Sequence, residues 1–193
     1  MNTSKTLIST SLGIALVSLS ALGLAGCAGS TTPTASPTNS STVSPTPTST
    51  ASAQEALAAE LRYLIEEEKL AFDVYTVMNQ TWGSQTFANI LQSETNHQSQ
   101  VLAVMKTYGV SDPRSSEIGV FENDDLQKLY DTLIAQGKSS ELEAYKVGVI
   151  IEETDIADLQ KMLATNPPAD VASMMNSLLS GSQNHLAAFS KKV

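Results

Sequence analysis

The sequence predicts an all-α fold, an antiparallel four-helix bundle with a long crossover that contains a short helix. Three observations predict it. Four stretches place apolar residues at alternating spacings of three and four, the period of a helix with one buried face. Two short breaks, at residues 80–84 and 166–168, join those stretches in pairs, and short connections make antiparallel neighbours. A long connection at 110–138 separates the pairs, and no stretch of convincing length alternates as a strand.

The first helix is expected over about residues 53–79, with Ser52 as its cap and Glu55 three residues on, as in a capping box. Its stripe is Leu57, Leu61, Leu64, Glu68, Ala71, Tyr75 and Met78, so Glu68 takes a core position. Glu66 and Glu67 fall on other faces and are expected to be solvated. After the break around Trp82, the second helix runs to about Tyr108, with Gly109 as its stop. Its rhythm of Phe87, Ile90, Val101, Val104 and Tyr108 continues through Glu94 and His97. At about 1.5 Å per residue, Glu68 and Glu94 both lie roughly 20 Å from the turn, at nearly one level.

Asp112-Pro113 and Gly119 mark irregular chain in the crossover. Residues 123–135 read as a short helix with Leu126, Leu129, Tyr130 and Leu133 on one side, ended by Gly137. A connection of this length can traverse the bundle. The third long helix is expected from Ser139 or Ser140 to about Ala164, with the stripe Leu142, Tyr145, Val149, Glu152, Ile156, Leu159 and Leu163. Asp155 flanks that face and Glu153 points elsewhere. Asn166-Pro167-Pro168 breaks it. The last helix, about 169–192, carries Val171, Met174, Leu178 and His185, with Phe189 beside them. Counted from Pro167, Glu152 and Ser182 are level. The methionines and aromatics read as core packing.

The ends carry different information. Lys5 followed by a mostly apolar stretch at 7–24 reads as a targeting segment, and residues 1–26 are set apart from the fold. Leu24-Ala25-Gly26-Cys27 resembles the lipobox of bacterial lipoproteins, which implies cleavage before Cys27 and its lipidation. A plain secretory signal with an incidental cysteine is the alternative. Cys27 is the one cysteine, so no intrachain disulfide, four-cysteine iron site or CxxC pair can form. Residues 28–52 hold 15 Ser or Thr and 4 Pro without a charge. That composition describes a disordered, extended linker holding the domain at 53–193 off a membrane. Without Lys5 the formal charge becomes −10, which argues against nucleic acid and against electrostatic adhesion to anionic lipid. There is no phosphate loop, nucleophile elbow or basic patch.

Five ionisable groups thus face inward near mid-length: Glu68, Glu94, His97, Glu152 and His185. Glutamate and histidine three apart stack on one helix face and can reach one ion. Carboxylate with imidazole suits iron, manganese or zinc. The segments EEEKLAFDVY (66–75), SETNHQSQV (93–101), GVIIEETDIADL (148–159) and GSQNHLAAF (181–189) resemble the ferritin-like di-iron carboxylate superfamily, and within it an uncharacterised group of secreted bacterial and archaeal ferritin-like proteins. That superfamily holds metal with one Glu from each of two helices and Glu-x-x-His from each of the other two.

The resemblance implies that Glu68 and Glu152 are the single glutamates, Glu94 and His97 the first Glu-x-x-His, and His185 the second histidine. It puts Tyr75 beside the ligands. Ser182 departs from the pattern, standing where the second Glu-x-x-His has its Glu. Asp155 either replaces that ligand or orients a ligand histidine from outside, so the site takes one ion or an altered pair. The implied chemistry is oxidation of bound Fe(II) by oxygen or peroxide. The absent cysteine-rich domain argues against a self-sufficient rubrerythrin-type peroxidase, and the tether against a storage cage. The alternative is a metal-free, non-enzymatic interaction or sensor module with a polar, hydrogen-bonded core.

Overall fold

The computed structural model describes residues 47–193; the leader, Cys27 and the linker up to residue 46 lie outside the described residues. Five helices follow in order: α1 Pro47–Trp82, α2 Gln85–Thr107, α3 Asp124–Gly137, α4 Glu141–Leu163 and α5 Ala169–Phe189. No strand occurs among the described residues, so the all-α expectation holds. None of these helices is long and apolar enough to cross a membrane.

The helix ends follow local chemistry. Ser84 caps α2, accepting from the Thr86 N–H, while Gly83 takes the positive φ that the tight turn needs. Asn123 caps α3 through the N–H groups of Asp125 and Leu126. Ser140 caps α4 through the Glu143 N–H. Two boundaries differ from expectation. α1 opens at Pro47, inside the expected linker, so Ser52 sits within the helix and does not cap it. Proline suits that first position because its missing N–H has no intrahelical partner there. α5 stops at Phe189, short of Lys191 and Lys192.

Hydrogen bonds between elements fix the topology. At one end, Ser84 Oγ lies 2.8 Å from the Tyr145 hydroxyl, and Trp82 Nε1 donates to the Gly137 carbonyl at 3.0 Å. At the other end, the Tyr108 hydroxyl donates to Asp170 Oδ1 at 2.7 Å. α4 therefore begins beside the α1–α2 turn, and the crossover travels the length of the bundle to deliver it there. The four long helices form a ring in the order α1, α2, α5, α4, with α3 laid against α1 and α4. Every ring neighbour is antiparallel.

The core divides into two dry clusters. One, toward the α1–α2 turn, includes Val74, Tyr75, Met78, Phe87, Ile90, Val147, Ile151 and Phe189. The other includes Leu61, Leu64, Val101, Met105, Leu159, Met175 and Leu178. Between them lies a polar layer. Aromatic rings close the first cluster: Phe189 sits 5.2 Å from Tyr75 and 5.3 Å from Phe87, centroid to centroid. Gly148 permits this, since a Cβ there would fall 2.7 Å from the Phe189 ring.

Packing corrects the expected faces in two places. On α4 the buried set is Ala144, Val147, Gly148, Ile151, Glu152, Asp155, Leu159 and Met162, whereas Leu142 is exposed. The small residues let α4 approach closely, so its inner face is not the stripe of largest side chains. On α1, Glu66 and Glu67 are buried, not solvated. The crossover covers Glu66, while Glu67 faces Asp155 and Asp158 of α4. Glu66 accepts from the N–H groups of Glu122 and Asn123 at 2.6 and 3.0 Å. Beside it, buried Lys69 pairs with Asp73, donates to the Glu117 carbonyl at 2.9 Å and stands over the Phe121 ring. The charged run of α1 is the seat of the crossover.

Candidate metal centre

The polar layer draws one inward group or more from each long helix. α1 supplies Glu68, α2 Glu94 and His97, α4 Glu152 and Asp155, and α5 Ser182 and His185. The most exposed of them, Asp155 and His185, show only 7% of their surface. Three of these pairs are three residues apart, so each lies one turn along its own helix face.

Glu94 stands at the centre. Its Oε2 lies 3.4 Å from His97 Nδ1, and its Oε1 lies 2.9 Å from His185 Nδ1. His97 Nδ1 is also 3.2 Å from Glu68 Oε2, and His185 Nδ1 is 3.4 Å from Glu152 Oε1. The two imidazoles stack with centroids 5.4 Å apart. Two triads result, Glu68–Glu94–His97 and Glu94–Glu152–His185, each with its donor atoms within 4.8 Å of one another. The structure thus brings together all five groups expected at mid-length.

The remaining expected residues take supporting places. The Tyr75 hydroxyl donates to Glu152 Oε1 at 2.6 Å. Asp155 is in neither triad; its Oδ2 accepts from the Ser182 hydroxyl, which also touches the Leu178 carbonyl at 3.0 Å. Ser182 therefore holds a carboxylate from the neighbouring helix. Sequence reasoning missed Gly181. A Cβ there would fall 2.3 Å from His97 Nε2, so only glycine lets α5 back onto that ring. The run Gly181-Ser182, two small residues at an inward register, was the available signal.

Burial and charge pull the ionisations apart. Burial would raise Glu94, but the two imidazoles outweigh it and hold its carboxyl at about 2. Burial would lower His97 and His185, yet their glutamates raise them to about 11 and about 9. Glu152 rises to about 7, chiefly by burial, against the pull of His185. Asp155 rises to about 6, again by burial, against the Ser182 hydroxyl. Glu68 and Glu67 are driven well above the usual carboxylate range by burial and then by Asp155. Tyr75 is held well above its ordinary value by burial and by Glu152, which keeps its hydroxyl a donor.

These residues fit divalent metal ions. Glu94 Oε1 and His185 Nδ1 are close, but misaligned for a hydrogen bond, and both lack a hydrogen-bond partner. So do Glu68 Oε1 and Asp155 Oδ1. Buried polar atoms left this way are costly, about 1–3 kcal/mol each for neutral groups and more for charged ones. His97 Nδ1 does bond Glu68 Oε2, but the four atoms left over converge on the layer as a shared cation requires. With Asp155, the four carboxylates of this layer carry the charge of two divalent cations.

Metal binding must displace protons from this layer, because ligating imidazole is neutral and ligating carboxylate is ionised. The groups raised to about 7, 9 and 11 hold those protons at neutral pH. Affinity is therefore expected to rise with pH between 6 and 9, by up to about tenfold per pH unit for each proton released. Calorimetric titration in two buffers of different ionisation enthalpy measures the protons directly; a buffer-independent heat would contradict this assignment. Tyr75→Phe removes the hydroxyl that fixes Glu152 and keeps the ring. Metal affinity is expected to fall about 10- to 100-fold, with the aromatic cluster intact. An unchanged titration curve would show that Glu152 needs no such support.

Fold and site together define a helical-bundle protein whose buried carboxylate–imidazole layer can hold metal. Residues 58–193 match the family described as an uncharacterized protein domain, DUF2202, and the chain belongs to that family. It is 42% identical over 125 residues to the uncharacterized protein MJ0754 of Methanocaldococcus jannaschii, covering 64% of this chain and 68% of that one. The crystal structure of the hypothetical protein MJ0754 superposes with a TM-score of 0.67 at 40% identity, over 68% of this chain and 76% of that chain.

Proposed function

We propose that this is a ferritin-like metal-binding protein whose two triads, with Glu94 in common, would hold two transition-metal ions, iron foremost. The shared position of Glu94, with one oxygen toward each histidine, is the observation that carries the reading. Manganese and zinc suit the same donors, but a carboxylate-rich set with two imidazoles is the pattern of the di-iron carboxylate bundles. Bound iron would supply one-electron chemistry toward oxygen or peroxide.

The chain's own residues have separable tasks. Glu68 and Glu152 flank Glu94, one in each triad. His97 and His185 present Nδ1 to the centre. Tyr75 holds its proton on Glu152 and so fixes that carboxylate. The two dry clusters on either side keep bulk water away. Lys5, the apolar stretch and Cys27 support a lipid anchor, which puts the bundle outside the cytoplasm at the cell envelope with the membrane as its partner. Cell fractionation tests the anchor: the parent chain is expected with membranes and Cys27→Ala free of them, and equal partition would remove the anchor.

Elemental analysis of the full chain, purified without chelator and then loaded with Fe(II) or Mn(II), tests the metal reading. Two ions per chain and a raised Tm are expected, because a ligand of the folded state stabilises it. Trace metal with an unchanged Tm would sink the reading and leave a metal-free interaction or sensor module.

A further inference from the structure

Acidic groups outside the two triads continue outward along the seam between α1 and α4. Asp158, Asp155 and Glu152 are spaced by three on α4 and so stack along one face. Opposite them, Tyr63 and Glu67 are one turn apart on α1. The Tyr63 hydroxyl donates to Asp158 Oδ2 at 3.1 Å and ties the outer ends of the two rows together. A surface hollow of about 530 Å³ opens there, lined in part by Glu60, Tyr63, Asp158 and Lys161. At the inner end, Asp155 is held by Ser182 and leaves Oδ1 without a partner.

Glu67 lies between these ends. It is only 5% exposed, no N–H or hydroxyl group donates to either of its carboxylate oxygens, and the groups it faces are the acids Asp155 and Asp158. Burying a carboxylate without compensation is unfavourable. Asp158 at the hollow, Glu67 beside it and Asp155 within therefore make a row of acids between the surface and the triads. Two other hollows among the described residues offer no such row. In the one beside the crossover, Asp73 is paired with Lys69 and Asp112 with Arg114. The one at the Pro167 end is mostly apolar, with Leu57, Tyr108 and Pro168 among its walls.

We propose that the α1–α4 seam is the path by which divalent cations reach the centre, with Glu67 as its buried carboxylate station between Asp158 at the mouth and Asp155 inside. The proposal rests on the metal-binding reading above, and its test separates the two. The full chain, stripped with chelator, is mixed with Co(II), and loading is followed by visible absorbance in a stopped-flow instrument. Removing one steering carboxylate is expected to slow loading about tenfold in Glu67→Gln and in Asp158→Asn, with the parent's final cobalt content. Glu153→Gln, an exposed acid on α4, is expected to load at the parent rate.

Equal loading rates in parent, Glu67→Gln and Asp158→Asn would overturn the path while leaving the centre standing. A lower final content in Glu67→Gln at an unchanged rate would make Glu67 a ligand and overturn it as well. If the parent chain takes up no cobalt, the metal reading falls and the path falls with it. Asp158 is half-buried at the mouth, so Asp158→Asn decides the matter even if Glu67→Gln does not fold.

Discussion

Glu94→Ala is expected to strip the protein of the two metal ions proposed above and to abolish the rise in Tm expected on loading. Glu94 is the one side chain common to the two triads, so its loss leaves each with a single carboxylate and a histidine. A ligand at a hundred times its Kd contributes about 2.7 kcal/mol to the folded state, and that increment should vanish. The metal-free protein should suffer too. Glu94 lies within 3.4 Å of both imidazoles, and those are raised to about 11 and about 9 partly on its account. Removing one partner of a buried pair costs about 3–5 kcal/mol, against a total stability of roughly 5–15 kcal/mol. Glu94→Gln keeps the shape and separates the two effects. Elemental analysis with thermal melts, with and without Mn(II), gives the readout; parent-like metal content in Glu94→Ala would place the ions elsewhere.

Gly181→Ala is expected to remove one ion of the two and leave the fold intact. Alanine is the better helix former by about 1 kcal/mol, so α5 itself should not suffer. The added Cβ would lie 2.3 Å from His97 Nε2 and 2.6 Å from Cε1, so the ring must turn. Turning takes Nδ1 away from Glu68 and Glu94, which it now approaches at 3.2 and 3.4 Å. The triad of Glu94, Glu152 and His185 does not include His97. The expected result is one ion per chain by elemental analysis, with the metal-free Tm unchanged or raised. Two ions at parent affinity would show that the ring yields by a few tenths of an ångström without leaving the site.

Glu68, Glu94 and His97 were legible because each continues an apolar rhythm that the helical period makes exact enough to place a side chain. Their levels were legible because helical rise is constant and the α1–α2 turn is short. Glu66 and Glu67 were misread, since periodicity on one helix says nothing about a crossover that returns over Glu66 or about the acids of α4 that Glu67 faces. The inner face of α4 was misread as well. Leu142 and Val149 are larger than Ala144 and Gly148, but the helix buries the small residues because they allow it to approach its neighbours.

The sequence by itself determined the helices, their pairing in two hairpins, the need for a long crossover and the inward register of five ionisable groups. Those follow from local periodicity and from breaks in the chain, which depend on near neighbours alone. Only the tertiary structure decided that Glu94 serves both histidines, that Ser182 holds Asp155, and that Gly181 makes room for the His97 ring. Those depend on which helix faces which at a distance of a few ångströms. Chain topology and close packing set that distance, and no one-dimensional pattern contains it.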